Sequence, residues 1–181
     1  MPSQAYTRFV VEFLEANSWA QRKEGVPLEL LDALDEDELA MAEEALIQRL
    51  STGDDWPARG LGYLRSQNAL TALRALLPRA TGTVRAATGL AIWQISRDAT
   101  MCGELIRLSH EEYTDDDKSW KTFTMIDVIH CLAHLPYPAA VARLEELKTS
   151  GNSLIAYNAN YALGLRGTAY ASDANSSSIE Q

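Results

Sequence analysis

The chain has 181 residues, 46% hydrophobic and 23% charged, with 16 Lys and Arg against 25 Asp and Glu for a net charge of −9. That length reads as one domain, able to bury about 70% of the surface its unfolded chain exposes without a disulfide or metal staple. The acidic balance argues against non-specific nucleic-acid binding, which depends on Lys and Arg neutralising phosphates, and against anionic membrane surfaces; it suits basic partners.

The charge is unevenly placed. Residues 1–50 hold 11 acids and 4 bases (−7), residues 51–110 hold 4 acids and 7 bases (+3), and residues 111–118 hold 5 acids and 1 base (−4). The opening MPSQAYTRFVVEFLEA carries acids within its apolar run, unlike a secretory signal. No stretch approaches the length that spans a bilayer. Cys102 and Cys131 lie in helical patterns and read as small buried hydrophobes, which fits a reducing, cytoplasmic setting.

Tyr6, Phe9, Val10, Phe13 and Leu14 recur at helical spacing and predict an amphipathic helix over 5–17. A break near Gly25-Val26-Pro27 precedes a short helical piece over 28–34. Asp35, with Glu38 three residues on, predicts a capping box. The helix it opens runs to Leu50, with Leu39, Ala42, Leu46 and Leu50 inward. Asp54 or Asp55 then caps a helix with Trp56 and Pro57 in its first turn. Further helices are predicted over about 67–77, 83–96, 99–108, 119–135 and 139–148, and a last one begins at NSLIAYNANYALG. From 167 the chain is small and polar, and 167–181 reads as a disordered tail.

The stretch from Asp54 to Leu108 is doubled. Leu61, Leu64, Leu73 and Leu76 recur 29 residues later as Leu90, Trp93, Cys102 and Leu105. Leu90, Trp93, Cys102, Leu105 and Leu108 recur 39 residues later as Ile129, Leu132, Val141, Leu144 and Leu147. The extra ten are SHEEYTDDDK, 109–118, polar and acidic. A period of about 30 made of helix–turn–helix units predicts an all-α solenoid of antiparallel helix pairs, in which each unit buries its face by stacking on neighbours.

TVRAATGLAIWQI (83–95), with DWPARGLGYL and SLIAYNANYALG as further copies, resembles the short bacterial form of HEAT-like repeats. The resemblance covers about 35–165, giving a helical cap over 1–34 and repeats over 35–166. Ile155 stands where Arg85 sits in the middle copy, Asn160 where Leu90 sits, and the insertion breaks the period. The resemblance implies protein–protein binding. Enzymatic members of the hydroxylase type need repeated His-Glu pairs, and this chain has only His110-Glu111.

No nucleophile–base pair and no phosphate-cradling loop emerges, so a non-catalytic chain without cofactor is expected. Asp127, His130 and His134 fall on one helix face, a spacing that could ligate zinc, but Cys131 stands where the metalloprotease form needs Glu, and a solvated helix face is the expected reading. Expected binding residues are Asp54 and Asp55 with Trp56, and Glu111, Glu112, Asp115, Asp116 and Asp117 with Trp120. Both groups lie in second-helix to first-helix connections, which a solenoid places on one edge, so an acidic rim is expected. Asp117 is expected to cap the helix that follows. Tyr157 and Asn160 on the last helix complete the set. The expected partner is a protein with a basic surface. One form of this, by analogy, is an immunity protein that neutralises a cognate toxin; the alternatives are a regulatory scaffold or a metal-dependent enzyme.

Overall fold

The computed structural model describes residues 2–176, with side chains described to Leu165. It is all-helical, with no strand among the described residues beyond an isolated Ser51–Asp54 bridge. No described helix is long and apolar enough to cross a membrane. The chain forms two compact units, Met1–Asp98 and Ala99–Gln181. The boundary falls inside the stretch predicted to be continuous repeats.

In the first unit, α1 (Gln4–Phe9) continues as a π-helical turn over Val10–Leu14, closed by Glu15 N–H donating to Val10 O. Two short helices follow, α2 (Trp19–Arg22) and α3 (Glu29–Asp32), then α4 (Glu36–Gln48). Asp35 caps α4 by accepting Glu38 N–H at 2.9 Å. The other half of the predicted capping box is absent. The buried Glu38 carboxylate instead takes the backbone N–H and hydroxyl of Ser3, at 2.7 and 2.9 Å, and pins the N-terminal helix.

Next come α5 (Trp56–Tyr63), α6 (Leu70–Leu76), preceded and followed by single 3-10 turns, and α7 (Gly82–Ser96). α7 is buried on nearly all sides, from Val84 to Ile95, because α5 and α6 both pack on it. Leu61, Leu73, Leu76, Leu90 and Trp93 from the doubled register are all buried, and Leu64 is half-buried. Phe9, Phe13 and Trp56 pack in series, tilted and then edge-on, with ring centroids 5.3 and 5.6 Å apart, and join the N-terminal helices to α5.

The second unit comprises α8 (Thr100–Glu111), α9 (Trp120–Ala133), α10 (Pro138–Leu147) and α11 (Ser153–Ser176). α9 packs on α8, α10 and α11, and α10 packs on both α9 and α11. The core is Leu105, Leu108, Met125, Ile129, Leu132, Leu144, Ile155, Ala159 and Ala162. The predicted insertion is shorter than its sequence, because Ser109, His110 and Glu111 complete α8. α11 takes in residues 167–176 of the expected tail; residues 177–181 lie outside the described residues.

Candidate functional site

The loop from Glu112 to Ser119 is built rather than slack. Ser119, not Asp117, caps α9, its hydroxyl accepting Lys121 N–H at 3.3 Å. Asp117 reaches instead to Ser153 on α11, accepting its hydroxyl at 3.0 Å. Asp116 accepts Lys118 N–H at 2.9 Å, and its carbonyl accepts the Thr122 hydroxyl at 2.7 Å. The Tyr113 hydroxyl donates to Asp115 at 2.8 Å and meets Ser150 at 3.1 Å. Buried Asn152 donates to Thr114 O and to the Thr122 hydroxyl, while its own side-chain oxygen accepts the N–H groups of Leu154 and Ile155. The last two bonds cap α11. The N-terminal ends of α9 and α11 are therefore side by side, with the acidic loop across them.

Asp115, Asp116 and Asp117 are exposed. All their hydrogen bonds come from neutral donors, and no Lys or Arg among the described residues forms an ion pair with them. The flanking acids differ. Glu111 lies on α8 and is held by Arg107, whose guanidinium is raised further above its usual range, chiefly by hydrogen bonding to Glu104. Glu112 is buried and its Oε2 has no hydrogen-bond partner, so it is not part of the surface.

Asp54 and Asp55 belong to the first unit. Neither offers an open charge. Arg22 meets Asp54 at 2.5 Å and Asp55 at 3.8 Å, and Arg59 meets Asp55 at 2.5 Å. Trp56 is only 6% exposed, packed edge-on against Phe13 and covered by the Arg22 guanidinium at 4.2 Å. It is a core residue, which corrects its expected place at a binding edge.

Trp120 is the opposite case, at 66% exposed. It heads a strip on α9 that continues through exposed Phe123 to Asp127, His130 and His134. Among the described residues, no group of three or more His, Cys, Asp or Glu is placed to hold a metal ion. Ser109, beside His110, is buried, donates to Ile106 O at 2.6 Å and accepts from Arg143.

Tyr157, at 68% exposed, is joined on α11 by exposed Leu154, Tyr161 and Leu165. Thr122 marks the flank of α9 that meets α11, since its hydroxyl takes the Asn152 amide. α9 and α11 both rest on α10. With steps of about 100° per residue and Ile155, Ala159 and Ala162 inward, Leu154, Tyr157, Tyr161 and Leu165 share one outward arc of α11. Asn160 and Gly164 fall on a separate arc beside these. Asn160 thus lies beside the apolar register rather than on it, because Ala159 is the buried residue. Exposed Trp120 and Phe123 thus lie on α9 and exposed Leu154, Tyr157 and Tyr161 on α11, two helices that pack together and whose starts the acidic loop joins.

Sequence patterns alone passed over Phe123 and Leu154. The helical spacing of Trp120 and Phe123 with Asp127 and His130 was the available signal. No family model, curated protein or solved structure matches the chain.

Proposed function

We propose that this chain is a HEAT-like α-solenoid that works without catalysis, by holding another protein against the outer face of α9 and α11. The carrying observation is that α9 and α11, which pack together, both carry exposed large apolar residues, Trp120 and Phe123 on one and Leu154, Tyr157 and Tyr161 on the other, while the loop before α9 holds three carboxylates that no cation of the described residues pairs. Contiguous exposed apolar surface marks interaction sites. Aromatic side chains dominate the affinity of such sites. The acidic loop would steer a basic partner and fix its orientation. The 29- and 39-residue recurrences and the stacking of α9 on α11 support the repeat reading. A cytoplasmic inhibitor of a basic toxin is the concrete form, and the net charge of −9 disfavours nucleic acid as the ligand.

The test is affinity capture from the native cell, followed by identification of what is bound. The wild-type chain, an Asp115→Asn/Asp116→Asn/Asp117→Asn variant and a Trp120→Ala/Tyr157→Ala variant are compared. A basic protein held by wild type and lost from both variants supports the reading. The same protein held equally by all three removes this face as the binding site. For the inhibitor form, co-expression with the captured protein relieves its toxicity in wild type but not in the variants.

A further inference from the structure

Between the π-helical turn and α3, the first unit carries a segment with very little hold. Residues 17–25 are all exposed except Arg22, which is half-buried. α2 lies inside this segment and buries none of its side chains. Its hydrogen bonds are local. The Gln21 side chain accepts the N–H groups of Asn17 and Ser18 and the Ser18 hydroxyl, Ser18 accepts Gln21 N–H, and Gly25 N–H donates to Arg22 O. Lys23 pairs with neighbouring Glu24 and lies over the Trp19 ring. A single helical turn has no stability of its own in water. Its position therefore depends on what ties it to the rest of the unit.

Among the described residues, Arg22 is the side chain that makes this tie. Its Nη2 lies 2.5 Å from Asp54 and 3.8 Å from Asp55, and its guanidinium sits 4.2 Å from the centre of the Trp56 ring. The flat group stacks with its face and donates from its edge. Both flanks of the segment are anchored. Ala16 is buried and Arg49 donates to Leu14 O on one side, and Leu30 and Leu31 are buried on the other. Gly25 turns the chain between them at φ +89°, where glycine is favoured, and a β-carbon there would meet nothing within 4 Å. The seat of Arg22 has its own supports. Asp54 also accepts Trp56 N–H at 3.1 Å, Asp55 pairs with Arg59, and Trp56 packs on Phe13.

We propose that residues 17–25 form a strap latched by Arg22, which opens while the helices around it stay folded. Opening exposes no buried side chain of α2, so its cost is the latch itself. A cation–π contact and partly exposed ion pairs favour the closed state by about tenfold, and the conformational entropy of a released segment opposes them. Opening changes the surface of the unit. It leaves Asp54 without its cation and uncovers the face of Trp56 that Arg22 shields, while Asp55 keeps Arg59. The closed strap thus keeps an acidic and aromatic edge paired and covered, and the open strap exposes it. Because the latch is ionic and lies near the surface, salt shifts the balance toward the open state.

The experiment reads opening as the rate at which a lysine-specific endoprotease cuts the full chain after Lys23, the only lysine before Lys118. Arg22→Gln removes the charge from the latch and should speed the cut about tenfold. Asp54→Asn leaves the strap's own sequence untouched and should speed it about two- to fivefold. Raising salt should speed the cut in wild type and not in Arg22→Gln. In all three chains the rate should stay flat at low urea, because local opening exposes little surface. A cut in Arg22→Gln no faster than in wild type overturns the latch. A wild-type rate that climbs with urea as global unfolding does overturns the independent strap.

Discussion

The side-chain amide of Asn152 donates to the hydroxyl of Thr122 over 3.0 Å, and both residues are fully buried. Asn152 sits in the turn before α11 and Thr122 in the first turn of α9. One short side chain thereby caps α11, holds the Thr114 carbonyl at 3.2 Å and fixes α11 beside α9. The starts of the two helices that carry the exposed aromatic residues are thereby pinned together.

Asn152→Ala should therefore destabilise the chain by about 2–3 kcal/mol, the sum of a lost cap and two lost buried hydrogen bonds. Asn152→Asp separates the two roles. Aspartate keeps the cap but cannot donate, and it sets a carboxylate against the Thr114 carbonyl. Urea unfolding should show Asn152→Asp to be destabilised as well. If it matches wild type, the amide donations are dispensable and the cap alone matters.

Gly62 on α5 faces Ala91 on α7 more closely than any side chain allows. A β-carbon there would lie 2.9 Å from the Ala91 Cα and against the Gln94 side-chain oxygen. The Ala91 contact is with backbone, so the helices themselves must part. Gly62→Ala should cost about 1–3 kcal/mol by overpacking. Gly103 on α8 is the control, because a β-carbon there meets nothing within 4 Å. Gly103→Ala should stabilise by about 0.5–1 kcal/mol, since it relieves the entropic cost of glycine in a helix. Chemical denaturation of the pair checks both signs.

These two sites also mark what could be read from the chain before its structure. The 29-residue recurrence located the α7 helix to within a residue, because an apolar period needs no knowledge of partners. The close approach at Gly62 was not legible, since it depends on Ala91 arriving from the next helix. Trp56 and Trp120 looked alike in sequence, each an aromatic after acids at a helix start. They separate only because Phe13 and Arg22, more than thirty residues upstream, cover Trp56. Its spacing from Asp35 makes Glu38 a local capping partner, whereas the fold makes it a tertiary one, bonded to Ser3. In each case the deciding group, Ala91, Phe13 with Arg22, or Ser3, is distant in sequence and outside the reach of local chemistry.

Tyr63 donates to both oxygens of Asp32, at 2.7 and 2.8 Å. That hydrogen bond chiefly, and then burial and the negative charges of Asp32 and Glu29, raise the phenol above its ordinary value. A raised folded-state value means the neutral phenol is favoured by folding. The contribution is complete below the usual phenol range and is lost as pH climbs through the raised folded value. Absorbance titration should find one tyrosine ionising later than its peers, absent in Tyr63→Phe and shifted back down in Asp32→Asn. A phenol that ionises unchanged in Asp32→Asn would remove Asp32 as the cause.

Arg143 ends the second unit's list of pins and carries the sharpest test of residue identity. It is buried on α10, and its Nε donates to the Ser109 hydroxyl at 2.7 Å while Nη2 donates to the Ser109 carbonyl at 3.3 Å. Ser109 lies in the last turn of α8, where carbonyls lack intrahelical partners and a positive charge is favoured by the helix dipole. Nη1 reaches exposed Glu146 at 2.8 Å and adds little, because that carboxylate is in water. Lysine cannot reproduce the fork. Arg143→Lys should cost about 1–3 kcal/mol, set by the buried hydrogen bonds left unmade, whereas Glu146→Gln should cost under about 1 kcal/mol. A double-mutant cycle of Arg143→Lys with Ser109→Ala should show coupling of about 0.5–2 kcal/mol. Additive losses would mean that Arg143 stabilises α10 by itself and does not hold the end of α8.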